Sequence, residues 1–376
     1  MEIYLDNAAT TRVCTEAADI AYKVMTDCYG NPSSTHTKGR DAKAYLDTAR
    51  AQIASALGCS ASEVYFTSCG SESDVWAITR GAESAARRGR HIISSAVEHD
   101  AVRKTLEELE SRGFEVTYLS PEKDGSVSAD AVKAALREDT ILVTLMMVNN
   151  ETGGITDIAA IAKMLKGCGS KALLHTDAVQ GFMKVPFSAK KLGADMISIS
   201  GHKIHAPKGI GALYIKTGVK IKPLIRGGAQ EGGMRAGTEA MPQIAAFGKA
   251  AEIAFSGMKD NCDTMASLRA LAMSTICADI PEAQIIGGGA PHILSVSLPG
   301  WRSEVLMNFL EAEGIYVSRS SACKKGGRSH VLEAMRLPAQ VIDGAIRVSF
   351  SRYNTEDDVL ALCSALKRAH DTLAHR

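Results

Sequence analysis

The chain has 376 residues, 45% of them hydrophobic, which is enough to bury a large core and to form two domains. Its 43 basic and 42 acidic residues leave a net charge of +1, so composition implies neither a nucleic-acid partner nor an anionic membrane surface. No apolar run approaches the ~18 residues of a membrane span, the start lacks a basic-then-apolar leader, and the nine cysteines show no CxxC or CxxH spacing. The expectation is a cytoplasmic protein with reduced thiols, no membrane contact and no structural zinc site.

In chain order, a helical pattern runs from about Thr35 to Leu57 and stops at Gly58, a residue suited to a left-handed helix end. Strands and helices then alternate. Strands are predicted over 64–67, 91–96, 115–119 and 141–148, with helices reaching to about 87 and 112 and spanning 128–137 and 157–166. Two further apolar strands end at Asp177 and just before Lys203, and 209–215 reads as one more. This alternation calls for an α/β fold, a mostly parallel sheet with helices on both faces. From 242 to about 277, Ile244, Phe247, Ala251, Phe255, Met258, Cys262, Met265 and Leu268 recur at steps of three and four. They predict one long helix whose apolar stripe bridges two domains. Strands over 292–298, 316–318 and 345–350, with helices over 303–313 and from 355, complete a smaller α+β unit. The expected division is a large domain, 15–255, and a small one made of 1–14 and 256–376.

The chemistry centres on Ile197-Ser198-Ile199-Ser200-Gly201-His202-Lys203, a buried strand that stops at a glycine and delivers a lysine. Partial desolvation at a strand mouth lowers an amine's pKa and prepares it to condense with an aldehyde. The obvious aldehyde is pyridoxal 5′-phosphate, whose ring acts as an electron sink. A solvent-facing lysine after a strand shows the same local pattern, so the rest of the chain must supply the cofactor's other needs. Asp177, also at a strand's end, is a candidate anion for the ring nitrogen and equally a candidate helix N-cap. For the phosphate there are two candidates, the strand-to-helix turn Ser68-Cys69-Gly70-Ser71-Glu72 and the glycine-rich stretch 226–238. The first also reads as an ordinary capping box.

Taken together, the motifs resemble the cysteine desulfurases, the class V branch of the aminotransferase-fold enzymes. They run from Tyr4-Leu5-Asp6-Asn7-Ala8-Ala9-Thr10-Thr11 and Gly30-Asn31-Pro32-Ser33-Ser34 through Val97-Glu98-His99 and Val148-Asn149-Asn150-Glu151-Thr152-Gly153. They continue with Ser200-Gly201-His202-Lys203, Arg235-Ala236-Gly237-Thr238, Ser320-Ser321-Ala322-Cys323 and Ile346-Arg347-Val348-Ser349-Phe350. The resemblance implies a fold-type I pyridoxal-phosphate enzyme, with Lys203 carrying the cofactor covalently and later moving the substrate's alpha proton. It implies that His99 stacks on the ring and handles protons, that Asp177 pairs with the ring nitrogen, and that Gln180 and Asn150 lie near the phenolic oxygen and the substrate. Gly70, Ser71, Ser200 and His202 match phosphate contacts. Thr238 matches one reaching in from a second subunit, which implies a homodimer. Asn31 and Arg347 match the pair that grips the carboxylate of L-cysteine, a task for which the planar arginine fork is suited.

The reaction turns on Cys323, which stands beside Lys324, Lys325 and Arg328 in a glycine-containing loop. Neighbouring cations lower a thiol's pKa, and a flexible loop can carry sulfur from a buried ring to an acceptor. The resemblance therefore implies desulfuration of L-cysteine to L-alanine, with a Cys323 persulfide for a sulfur-acceptor or scaffold protein in iron–sulfur assembly or tRNA thiolation. Cys69, Val75, Gly232 and Lys324-Lys325 depart from the usual pattern and bear on the acceptor rather than on the cofactor chemistry. The competing readings are a class V aminotransferase, a selenocysteine lyase, and a binding partner of sulfur-carrier machinery with lapsed catalysis.

Overall fold

The structure, a computed structural model, describes residues 2–319 and 327–373, so Cys323 lies outside the described residues. In chain order the elements are β1 (Ile3–Tyr4), α1 (Thr15–Thr26), α2 (Thr37–Leu57), β2 (Val64–Thr67), α3 (Gly70–Ala85), β3 (His91–Ser95), α4 (Asp100–Ser111) and β4 (Glu115–Leu119). Next come α5 (Ala129–Ala135), β5 (Thr140–Met146), α6 (Ile158–Gly167), β6 (Leu173–Asp177), α7 (Ala189–Leu192), β7 (Met196–Ser200) and β8 (Gly211–Ile215). The remainder is α8 (Met241–Ser256), α9 (Met258–Asp279), β9 (Gln284–Ile286), β10 (Ile293–Ser297), α10 (Ser303–Ala312), β11 (Ile315–Tyr316), β12 (Ser318–Arg319), α11 (His330–Ala334), α12 (Ala339–Asp343), β13 (Ala345–Ser349) and α13 (Glu356–Thr372).

Strands apolar on both sides must be covered on both sides. A seven-stranded sheet in the order β2-β8-β7-β6-β5-β3-β4 meets that demand. Only β8 runs against its neighbours β2 and β7; the other pairs are parallel. Ile92, Leu142, Met196 and Leu213 pack on one face against Trp76 and Ile78 of α3 and Leu106 and Leu109 of α4. The next residue on β3, β5 and β7 (Ile93, Val143, Ile197), and Ala212 on β8, faces the other way, toward Ile53 of α2, Ile161 of α6 and Phe247 of α8. Each such side chain contributes about 1.5–3 kcal/mol on burial, so a one-residue slip of any central strand is strongly disfavoured. The expected α/β architecture with helices on both faces is what the chain adopts.

The predicted single helix over 242–277 is two helices that meet at Gly257. Ile244, Phe247 and Ala251 of α8 belong to the core of the large sheet, whereas Met265, Leu268, Ala272 and Ile276 of α9 belong to a second core. The apolar period runs across the break because both cores demand it, and glycine, about 1 kcal/mol poorer than alanine in a helix, marks where the direction changes. Helix α1 is absent from the sequence expectation for a related reason. It buries only Ala17 and Val24 while Tyr22 and Met25 are exposed, so its apolar pattern does not mark its inner face.

The second core is built on the antiparallel sheet β12-β13-β10-β9 and on α9, α10 and α13. The chain's first strand returns to it, with β1 pairing in parallel with β11 and Asp6 bridging to Ser349. No helix among the described residues is long and apolar enough to cross a membrane.

After β7 the backbone turns at Gly201 into a single 3-10 turn, Gly201–Lys203. A Cβ on Gly201 would fall 2.7 Å from Ile210 Cγ2 and 3.2 Å from Phe247 Cδ2, both on buried side chains that cannot retreat. Gly201→Ala should therefore destabilise the chain by about 1–3 kcal/mol in urea unfolding, as overpacking does. An unchanged midpoint would contradict the packing described.

Candidate active site

The parallel strands β6 and β7 end at the same edge of the sheet, where Asp177 lies opposite Ser198. A cavity of about 380 Å³ opens there, the expected place for a ligand of an open α/β sheet. Lys203 reaches it from the 3-10 turn, its Nζ donating to Ala8 O at 2.7 Å and Ala9 O at 2.8 Å. Burial and the Arg347 guanidinium push this amine down to about 8, against the opposing charges of Asp177 and Asp6.

Asp177 is buried, and its Oδ1 accepts the Val179 N–H at 2.9 Å. Burial pushes its carboxyl up, and the positive charges of His99 and Lys203 oppose that. No helix begins after Asp177, so the N-cap alternative falls away. His99 stands where α4 begins. It caps α4, Nδ1 accepting from Ala101 N at 3.2 Å, and it lines the cavity.

Gly70 opens α3 at the cavity wall, and the preceding Cys69 makes no side-chain cap bond. The first backbone N–H groups of the helix could hold an anion together with Ser71, Ser200 and His202, which also line the cavity. A Cβ on Gly70 would come 2.7 Å from Val179 Cγ2, so a glycine is required for the helix to start this close to the Asp177 turn. Ser200 Oγ is buried with no hydrogen-bond partner among the described residues. The glycine-rich alternative, 226–238, is not among the described residues that line the cavity: Glu231 binds Arg50 at 2.7 Å and the Phe66 N–H at 2.8 Å, and Arg235 binds Glu72 at 2.8 Å.

Arg347, on β13, donates to Asn150 O at 2.8 Å and to Asp6 Oδ1 at 2.9 Å, while its buried Nε has no partner among the described residues. Asn150 and Gln180 line the cavity, and Gln180 Nε2 also donates to Ala8 O at 2.8 Å. One expected residue is not brought to it: Asn31 sits between α1 and α2, its Oδ1 accepting from Ser33 N at 2.8 Å. Thr238, expected to act on the cavity of a second copy, is exposed and outside the lining of its own. Lys203, Asp177, His99, Gly70, Ser71, Ser200, His202, Asn150, Gln180 and Arg347 do converge.

Sequence reasoning missed a layer of buried polar groups beneath Asp177. His175, two residues earlier on β6, is held between Thr144 Oγ1 at 2.8 Å and Ser198 Oγ at 2.9 Å, and burial pushes its imidazole down to about 3. The carboxyl of Asp74, on α3, is pushed well up by burial and by the charge of Asp177. Glu98 accepts from Ser95 Oγ at 2.5 Å and Met146 N at 3.1 Å, and burial pushes its carboxyl up to about 8. The period-two spacing of His175 and Asp177 was the available signal for the first of these.

The set fits pyridoxal phosphate. A part-desolvated amine, a buried carboxylate, a helix N-terminus and a hydroxyl without a partner are what its aldehyde, ring nitrogen and phosphate require. Glu98 provides a test of the buried layer. Its folded-state pKa lies above the unfolded value, so its stability contribution is full below about pH 4.5 and is lost as pH rises through about 8. Wild-type melting temperature should fall relative to Glu98→Gln across that window, and a pH-independent difference would show that the carboxyl is not neutral there.

The sequence profile described as aminotransferase class-V matches residues 3–362. The chain is 43% identical over 362 residues to a cysteine desulfurase IscS of Methanosarcina thermophila, covering 95% of this chain and 89% of that protein. Among solved structures it is similar to a NifS-like protein, with a TM-score of 0.94 at 38% identity, covering 99% of this chain and 100% of the other. It is also similar to SspA in complex with cysteine, with a TM-score of 0.82 at 32% identity, covering 94% of this chain and 100% of the other. The chain belongs to the class V aminotransferase family, among the cysteine desulfurases.

Proposed function

We propose that this enzyme removes the sulfur of L-cysteine with the help of pyridoxal 5′-phosphate, releases L-alanine, and holds the sulfur as a persulfide on Cys323 for an acceptor protein. Iron–sulfur assembly is the pathway that fits the IscS relative. The observation that carries the reading is the convergence of Lys203, Asp177 and Arg347 on one cavity floored by the N-terminus of α3.

When bound, pyridoxal phosphate supplies an electron sink conjugated to the substrate's alpha carbon. Lys203 would hold it covalently, Asp177 would hold its ring nitrogen and His99 its ring face. Gly70, Ser71, Ser200 and His202 would hold its phosphate, together with Thr238 of a second copy in a homodimer. Gln180 and Asn150 would hold the phenolic side. Arg347 would take the substrate carboxylate, and Asn31, which lies outside the cavity, is the proposed second donor. Lys203, released from its covalent bond, would take the alpha proton. The Cys323 thiolate would attack the substrate sulfur, so that the carbon–sulfur bond breaks, a sulfur–sulfur bond forms and the former Cβ gains a proton. Substrate plus thiol equals alanine plus persulfide, with no outside oxidant. The same reading assigns the cofactor to residues 15–255 and the sulfur loop to the smaller unit, 1–14 with 256–376.

Borohydride reduction of the yellow protein followed by peptide mapping should label Lys203; a label on another lysine would remove the assignment. Cys323→Ser should keep the spectral change on adding cysteine yet form no persulfide, because a hydroxyl is a far poorer nucleophile at neutral pH. Alanine release should fall by roughly a hundredfold or more, and alanine at the wild-type rate from that variant would point to a different sulfur acceptor.

A further inference from the structure

The cavity wall carries another histidine besides His99 and His202. His330, the first residue of α11, lines the same space as Lys203, Asp177 and Arg347. Two contacts hold it there. Its Nε2 donates to the backbone oxygen of Glu98 at 3.1 Å, and the preceding Ser329 donates through Oγ to the carboxyl of Glu151. Glu98, Glu151 and Ser329 are all buried, so the ring is positioned by groups that are themselves fixed. Asp100 and Arg103, paired at 2.6 Å, stand on the same wall.

The ring nitrogens of His330 and His99 are used differently. A carbonyl oxygen only accepts, so Nε2 of His330 carries a hydrogen and the lone pair of its neutral ring lies on Nδ1. In His99 the lone pair is also on Nδ1, but there it accepts the Ala101 N–H at 3.2 Å and caps α4. Protonation of His99 at that atom would break the cap. Helix α11 makes no such demand on His330, because Ser329 caps it, Oγ accepting from Leu332 N at 3.1 Å. His330 can therefore pass between imidazole and imidazolium without losing a helix cap and without turning its ring.

We propose that His330 is a catalytic proton donor, which delivers to the former Cβ of the substrate the proton that desulfuration requires there. When the carbon–sulfur bond breaks, its electron pair stays with the substrate and the sulfur goes to the attacking thiolate. The Nδ1–H bond of the imidazolium then breaks, a carbon–hydrogen bond forms, and the ring is left neutral. It regains a proton from the thiol that must ionise for the next attack, so the cycle needs no outside acid. The inference rests on the desulfuration reading. It adds the source of one proton and a single face of the carbon to receive it.

L-Cysteine carrying deuterium at one of its two Cβ hydrogens is turned over by the cofactor-loaded protein in tritiated water, and the methyl group of the released alanine is analysed for chirality. A donor fixed in the wall adds tritium to one face, so wild-type protein should give one configuration in excess. His330→Gln keeps an amide N–H for the Glu98 oxygen but has no ring nitrogen to carry the proton. Alanine release should fall about a hundredfold or more, as when a general acid is lost. The methyl group should become racemic, because water then reaches either face. A residue that only shaped the cavity would slow the reaction and leave the configuration alone. A retained excess in His330→Gln overturns the proposal, and so does a racemic methyl group from wild-type protein, which needs no variant to fold. Should a His330→Gln chain of native circular dichroism release no alanine, exchange of cysteine's alpha proton with solvent decides. Exchange at the wild-type rate places the block after that step, as expected, and its loss overturns the proposal. The functional reading fails differently, as wild-type protein that binds cysteine and releases no alanine.

Discussion

The site depends on a short strap of chain, residues 6–11, that ties the two sheets together. Ala8 O accepts from Lys203 Nζ at 2.7 Å and Gln180 Nε2 at 2.8 Å, both attached to the large sheet. Its own N–H donates to Ser349 Oγ at 2.8 Å, on β13 of the small sheet. Asp6 pairs with Arg347 at 2.9 Å, and Thr11 N and Oγ1 each donate to His202 O at 2.9 Å. Each of these bonds contributes about 1 kcal/mol net, but leaving a buried partner unsatisfied costs more. The strap, the lysine turn and β13 therefore hold or fail together. A lysine and an arginine that are 144 positions apart in the chain are aimed at one cavity by residues at its beginning.

Burial governs the electrostatics of what the strap encloses. Beneath Asp177 the protein places groups that are neutral when buried, namely His175 with its imidazole pushed down to about 3 and Glu98 with its carboxyl pushed up to about 8. A charged neighbour in that layer would compete with Lys203 and His99 for the Asp177 carboxylate. On the other side stand Lys203 and Arg347, with Asp6 the carboxylate bound to the arginine. A cavity with a positive wall, a helix N-terminus and one deep carboxylate suits a ligand with a phosphate, a carboxylate and a ring cation.

Much of this was legible in the sequence because its signals are local. A strand buried on both faces must be apolar at consecutive positions, so the βα order could be read from Ile92-Ile93, Leu142-Val143 and Met196-Ile197. Gly201 ahead of Lys203, and Gly70 at the start of α3, are close-approach glycines that announce themselves as punctuation. No apolar run of membrane-spanning length stands in the sequence, and the order of motifs identified the family.

What only the tertiary structure decided are matters of distance between remote parts of the chain. Nothing local to residues 242–277 says that the apolar stripe serves two cores, because a helix shows the same period whichever core it faces. Nothing near Asn31 or Thr238 says that the first is held by Ser33 outside the cavity or that the second is exposed. Lys184 reads in sequence as an ordinary lysine before Val185-Pro186. Its burial beside Lys203 follows from α9 and the end of β13 closing over that turn. Periodicity reports which face of an element is apolar. It carries no information on which charges the folded chain brings within a few ångströms of each other, and in a low-dielectric interior that distance sets their protonation.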